Sequence, residues 1–290
     1  MGPGLKMAIR ADLLLTHEFP DARQSYTKRD AILYALGAGL GADPADPADL
    51  PFLLEDRLKV LPTYAVTLGS PGLWIRAPEF GVDFPKLVHY EQATAFHAPI
   101  PPEAEVISRA RVASVTDRGP GRGAVVVVER KISDAAKGTS YCTLRQTLLL
   151  RGDGGFGGEP SAHSPSIIPD REPDAVATFA VDPRAALIYR LSGDWNPLHA
   201  DPEAAKRAGF DRPILHGLAS YAVAGVTVAR ALGASPVALS ALACRFTGIV
   251  FPGDVLSFRI WLDASAATFQ AFVGDRKALD QGLASFGGAV

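Results

Sequence analysis

Hydrophobic positions along this 290-residue chain fall into two kinds of run. From Leu218 to Leu232, apolar residues occupy almost every side of a helical wheel, with Arg230 near the end and Gly233 as a stop. That pattern predicts a helix buried all round. Elsewhere, short runs rich in Val, Ile, Thr and Phe are separated by Gly, Pro and Asp, which predicts antiparallel strands. In the first half these runs are Ala110–Val115, Gly123–Arg130 and Ser140–Leu150. In the second they are Ala243–Val250, Val255–Leu262, Thr268–Val273 and Gly282–Phe286.

The order of runs repeats. Tyr34-Ala-Leu-Gly-Ala-Gly39 is echoed 155 positions later by Tyr189-Arg-Leu-Ser-Gly-Asp194, and Tyr64-Ala-Val66 is echoed 157 positions later by Tyr221-Ala-Val223. Short apolar matches arise by chance, but the same succession of elements in both halves favours a duplicated domain. Between the halves lie the glycine-rich Arg151–Gly158 and the Pro- and Ser-rich Glu159–Pro173. No Lys-Ser/Thr follows the glycines, so they predict a hairpin or connector rather than a phosphate cradle. This divides the chain into residues 1–158, a linker at 159–173 and residues 174–290.

Composition narrows the class. With 48% hydrophobic and 21% charged residues and a formal charge of −2, the chain suits a soluble globular protein, with no basic tract for nucleic acid or an anionic membrane. The apolar stretch from Gly217 to Ala229 is too short to span a bilayer. Cys142 and Cys244 stand far apart without a CxxC context, so reduced thiols and a cytoplasmic location are expected. The first residues lack a signal-peptide core and the last are not a Ser-Lys-Leu address. His89 and His97 lack the spacing of a metal-ligand set, and no metal is expected.

The chemistry concentrates in Tyr189-Arg-Leu-Ser-Gly-Asp-Trp-Asn-Pro-Leu-His199 and Pro213-Ile-Leu-His-Gly-Leu218. Asp194 and His199 are five residues apart. On a regular helix they would diverge by roughly 140°. Gly193 and the Asn196-Pro197 dipeptide instead take the backbone out of helix geometry, so a bent loop can converge an acid and an imidazole on one small molecule. Asp194 as a turn cap and His199 as a core histidine is the other reading of that spacing. In the first half, Gly39 and Pro44 stand where Asp194 and His199 do, so one competent site per chain is expected.

Taken whole, the string resembles the signature of the R-specific enoyl-CoA hydratases (hydratase 2, the MaoC-like group), with Ala205 as the small residue six positions after His199. Gly209-Phe-Asp-Arg-Pro-Ile-Leu-His-Gly-Leu218 continues the similarity, and Ser25–Asp30, Val60–Pro62 and Leu87–Gln92 carry it into the first half. The resemblance implies an α+β double hotdog, two antiparallel sheets each wrapping a long buried helix, with a degenerate first half that widens the acyl pocket. It also implies reversible syn hydration of trans-2-enoyl-CoA to the (R)-3-hydroxyacyl thioester by a water held between Asp194 and His199.

Other roles follow from the same resemblance. Gly217, opening the buried helix, would give the thioester oxygen its N–H, consistent with the attraction of helix starts for negative charge. Asn196 would fix the loop first and support the dyad second. His216 reads as architectural rather than as a second base. His89, Tyr90, Arg118 and Phe246 match positions that touch the acyl-CoA, Arg118 replacing a lysine and suiting a CoA phosphate. No cofactor beyond the CoA of the substrate is implied, and a homodimer is expected. A hydratase or dehydratase for a specialised acyl-CoA (mesaconyl-type, branched or a steroid side chain) is the second reading, and a non-catalytic CoA-binding subunit the third. Asp194, Asn196, His199 and Gly217 together argue against the third, and hotdog thioesterases lack the Asp-x-Asn-Pro-x-His string.

Overall fold

The computed structural model describes residues 8–158, 165–263 and 266–287. Its frame is one ten-stranded antiparallel sheet. The first half supplies β1 (Ala22–Tyr26), β2 (Leu87–Phe96), β3 (Ala104–Asp117), β4 (Ala124–Asp134) and β5 (Ser140–Leu150). The second supplies β6 (Ala175–Ala180), β7 (Leu239–Phe246), β8 (Val255–Asp263), β9 (Ala266–Val273) and β10 (Arg276–Phe286). Spatial order runs β1-β3-β4-β5-β2-β7-β10-β9-β8-β6. Read outward from the middle, the two halves list their strands in the same sequence, which is the duplication made visible.

The halves meet where β2 pairs with β7, with Gln92 opposite Cys244 and Thr94 opposite Leu242. The two sheets expected of a double hotdog are therefore joined into one. Five expected strand runs fall within β3, β5, β8, β9 and β10. The Ala243–Val250 run stops short as a strand, because β7 ends at Phe246 and Pro252 and Gly253 turn the chain. Strands β1, β2 and β6 had no apolar run to announce them. β1 and β6 are five- and six-residue edge strands with alternate residues exposed, and β2 carries polar residues at His89, Glu91, Gln92 and Thr94.

Among the described residues five α-helices lie on this frame: α1 (Ala11–Leu15), α2 (Lys28–Gly37), α3 (Ala185–Tyr189), α4 (Pro202–Arg207) and α5 (Gly217–Ala231). α5 is the helix its apolar pattern predicts, and every residue from Ala219 to Ala229 is buried. Tyr221 fastens it to the middle of the sheet by donating its hydroxyl proton between the Leu242 carbonyl and Thr94, at 2.8 and 2.9 Å. At its C-terminal end Arg230 pairs with buried Asp49 of the first half, a cation well placed for the helix dipole.

Among the described residues the first half has no matching long helix. Tyr64, the counterpart of Tyr221, sits in a six-residue 3₁₀ stretch, Pro62–Thr67. Seven prolines between residues 44 and 85 explain the loss, since proline removes a donor and clashes with the preceding turn. What stabilises the replacement is Arg130 of β4, whose buried guanidinium donates to the Val66 and Leu68 carbonyls, both at 2.8 Å. The paired helices α2 and α3 cross at Gly37, where a Cβ would fall 2.9 Å from the Tyr189 Cα. The Tyr34 and Tyr189 rings then stand 5.6 Å apart.

The glycine-rich connector is folded around one carboxylate. Asp117 accepts the N–H groups of Gly119, Gly155 and Gly157 at 2.6 to 2.8 Å. The first six residues of the expected linker, 159–164, lie outside the described residues, as do the chain ends at 1–7 and 288–290. From Pro165 on, the chain runs over the sheet, where Gln281 accepts the Ile167 N–H and donates to Ser166. Among the described residues no helix is long and apolar enough to cross a membrane.

Arg130→Met should strand two buried carbonyls that now share a cationic donor, destabilising the fold by about 2–4 kcal/mol. Urea unfolding of the variant against the parent measures this, and a midpoint within error of the parent would show that the 3₁₀ segment holds without the guanidinium.

Candidate active site

The chain from α3 to α5 makes the bend that the motif predicts. Residues 190–192 form a 3₁₀ turn ended by Gly193 at φ 118°, a conformation that suits glycine. Asp194 accepts the Asn196 N–H at 3.2 Å and Asn196 accepts the Leu198 N–H at 3.1 Å. Asn196 thereby caps the Pro197–His199 turn, which is its structural role. His199 then turns inward, 8% exposed, while Asp194 stays exposed at the mouth.

His199 has a fixed tautomer. Its Nδ1 lies 2.9 Å from the Ile214 carbonyl, which can only accept, so Nδ1 carries the proton and Nε2 keeps its lone pair. Burial pushes the imidazole below its ordinary pKa, opposed by the Ile214 hydrogen bond and the Asp194 charge. A neutral ring with a free Nε2 beside a carboxylate is equipped to take a proton from water.

His216 completes the centre. It stands immediately before α5, 1% exposed, with its ring stacked on that of His199 at 3.7 Å and 26°. Its Nε2 donates to the Asp194 main-chain carbonyl at 3.3 Å. Burial, then the neighbouring His199, pulls its pKa down to about 3. A carboxylate oxygen of Asp194 and one ring nitrogen from each histidine lie within 4.8 Å of one another, the one such donor group among the described residues. Nearly parallel rings aim their in-plane lone pairs along separate planes rather than at one point. That geometry suits hydrogen bonding to water better than tetrahedral ligation.

Gly217 opens α5 beside this pair. Ala219 and Ser220 donate to the His216 carbonyl, so the Gly217 N–H lies ahead of the first bond of the helix and, with no backbone partner among the described residues, can meet an incoming oxygen. A Cβ at Gly217 would touch the Phe246 ring at 3.4 Å. Phe246 meets His89 edge to face at 5.0 Å, and His89 is held by Gln146 and the Glu91 carbonyl. Its pKa is pushed down to about 4, chiefly by desolvation.

The structure thus brings together Asp194, Asn196, His199, Gly217, His89 and Phe246. Two expected contacts stand apart from them. Tyr90 lies under the Arg245 guanidinium at 4.9 Å, next to the Arg245–Glu91 ion pair, because strand alternation points it away from His89 and the bulge between His89 and Glu91 puts it on the same side as Glu91. Arg118 is exposed in the β3–β4 hairpin, without an ion-pair partner among the described residues. It lies two to three strand spacings, roughly 10–14 Å, from β2. Sequence reasoning gave His216 no part in the site and overlooked Gln146. The signal for His216 was its place one residue before the helix-opening glycine.

An acid and an imidazole in a bent loop, facing the start of a buried helix that lies on a double-hotdog sheet, define the class. Residues 165–280 match the MaoC like domain and residues 24–152 the MFE-2 hydratase 2 N-terminal domain. The chain is 37% identical over 284 residues to the peroxisomal enoyl-CoA hydratase 2 of Arabidopsis thaliana, covering 92% of this chain and 91% of that one. It is also similar to the crystal structure of a MaoC-like dehydratase from Phytophthora capsici. There the TM-score is 0.84 at 28% identity, over 96% of this chain and 98% of that one. A Mycobacterium tuberculosis protein described as having a double hotdog fold aligns with TM-score 0.57 over 93% and 94% of the two chains, a likeness of fold at 15% identity. The chain belongs to the MaoC-like hydratase 2 family.

Keeping His199, His216 and His89 neutral has a cost in acid. Each releases its proton on folding in the range where the unfolded imidazole, with a pKa near 6.5, would hold it. The unfolded chain therefore binds more protons below about pH 6.5, and stability falls as pH drops toward about 4. Urea midpoints taken across that range should decline steadily, and a flat profile would mean that the three rings are hydrated in the folded protein.

Proposed function

We propose that this protein is a hydro-lyase that reversibly hydrates trans-2-enoyl-CoA to (R)-3-hydroxyacyl-CoA. The observation that carries the reading is the fixed tautomer of His199, whose lone pair at Nε2 is presented next to Asp194 and the N–H of Gly217. A water held by Asp194 and His199 loses a proton as its oxygen bonds to C3 of the enoyl group. The electron pair displaced from the double bond moves toward the thioester oxygen, where the Gly217 N–H stabilises it. C2 then takes a proton on the same face, so one H and one OH are added overall and nothing is oxidised or reduced. Phe246 and His89 form the wall against which the thioester lies.

The only organic group needed besides the acyl chain is the CoA of the substrate, so no cofactor or metal takes part, and turnover should survive dialysis against a chelator. Residues 1–158 serve as the degenerate half and 174–290 as the catalytic half, with 159–173 between them. The protein is a cytoplasmic homodimer; buried free thiols at Cys142 and Cys244 accord with a reducing compartment. The Arabidopsis relative is named peroxisomal, so a fluorescent fusion decides between the two locations.

Asp194→Asn and His199→Gln should each lower kcat about 10²- to 10⁴-fold while circular dichroism stays unchanged. The assay follows loss of the conjugated enoyl-thioester absorbance of crotonyl-CoA. Turnover at the parent rate by either purified variant would remove the dyad from the reaction.

Arg118→Ala should raise KM for the acyl-CoA with little change in kcat, because a phosphate contact favours ground and transition states alike. The increase should shrink as salt is added. If KM at low salt is the same for variant and parent, Arg118 does not meet the CoA phosphates.

A further inference from the structure

We propose that His216 is a positioning residue for this reaction: its ring and its N–H together hold His199 and Asp194 in register across the Gly193–Asn196 turn. The inference rests on the reading of Asp194 and His199 as the dyad. Asp194 sits in an exposed loop, where the interaction that shapes its carboxylate is a two-residue turn with Asn196. Its tie to the protein interior is through the main chain, by the 3.3 Å hydrogen bond from His216 Nε2 to its carbonyl. His199 is gripped at one edge by the Ile214 carbonyl and on one ring face by His216 at 3.7 Å. One side chain therefore touches both members of the dyad by different forces.

A residue serving only to pack would not need an imidazole here. His216 is 1% exposed, and its Nδ1 is buried without a hydrogen-bond partner among the described residues. Leaving a buried polar atom unsatisfied is costly, and a phenyl ring would fill the space without that cost. What the imidazole adds is the Nε2–H, and that donor is spent on Asp194.

His216 is also wedged from behind. The Tyr189 ring lies 5.0 Å away and Tyr34 lies 5.6 Å beyond that, both fully buried. The charged groups that act on His216 are the Asp194 carboxylate, whose main-chain carbonyl its Nε2–H meets, and the Arg190 guanidinium from the turn after α3. Because His216 stays neutral, it can cover the face of His199 without adding a charge beside it.

Two variants separate the ring from the donor. His216→Gln keeps an N–H at similar reach and removes the ring; His216→Phe keeps the ring and removes the N–H. Both should lower kcat for crotonyl-CoA about 10- to 100-fold, with KM within about twofold, the scale expected for a misplacement near 1 Å. In the Gln variant water reaches His199, so its titration midpoint should rise toward about 6.5, read from the ¹⁵N signals of its ring and from the acid limb of kcat/KM. In the Phe variant the midpoint should stay low. The parent protein gives a further reading, since His216 should show a neutral ring protonated at Nε2.

Parent-like kcat in His216→Phe, or a His199 midpoint unmoved in His216→Gln, would overturn the proposal. So would a parent His216 protonated at Nδ1, which needs no variant to fold. Failure of the dyad reading looks different: His199→Gln would then turn over normally, whereas the ring titrations would still report whether His216 holds His199.

Discussion

The antiparallel pairing of β2 with β7 is the constraint to which the other features answer, because it makes two half-sheets into one surface broad enough to enclose α5. A helix that is apolar all round cannot rest on a sheet with one side in water; it must be covered. Thr94 and Leu242, opposite each other across that pairing, both receive the Tyr221 hydroxyl, so the helix is fastened at the seam itself. Its far end is tied to the first half through Arg230 and Asp49. Each buried Val or Tyr along the helix is worth roughly 1.5–3 kcal/mol of transfer free energy, and that gain is available only when both halves are present.

The site inherits its geometry from the same arrangement. α5 starts at Gly217 because the loop before it must pass the Pro197–His199 turn, and Ile214 and His216 on that loop each hold one piece of the dyad. From the other side of the seam comes β2, whose His89 meets Phe246 edge to face. The loop that carries Asp194 and His199 belongs to the second half alone. The wall facing it is built by both.

Much of this was legible in the order of residues, and the exceptions are instructive. α5 announced itself because a helix buried on all sides must be apolar on all sides. The convergence of Asp194 and His199 was legible because Gly193 and Pro197 take the backbone out of helix geometry between two polar groups. β2 was hidden for a functional reason: His89, Glu91, Gln92 and Thr94 interrupt its apolar run, and His89 and Thr94 face partners from the other half. The long helix that the double-hotdog resemblance implies for the first half is replaced by the 3₁₀ stretch Pro62–Thr67, because the prolines around Tyr64 do not allow a continuous helix. His216 was read as architecture because its partner is a main-chain carbonyl 22 positions earlier, which no local spacing reveals.

The proline-rich stretch between α2 and β2 also bears on how such a chain can change. In an assembly of two identical subunits, any substitution appears twice, so a proline that broke one enclosed helix would break its twin and empty the core. Covalent fusion separates the two copies. Here one half has a 3₁₀ stretch held by Arg130 where the other has α5 and, beside it, Asp194 and His199. Symmetry in the strand order and asymmetry in the helices thus answer to different constraints: both half-sheets must still pair across the seam, whereas a helix held in only one half can be lost without emptying the other.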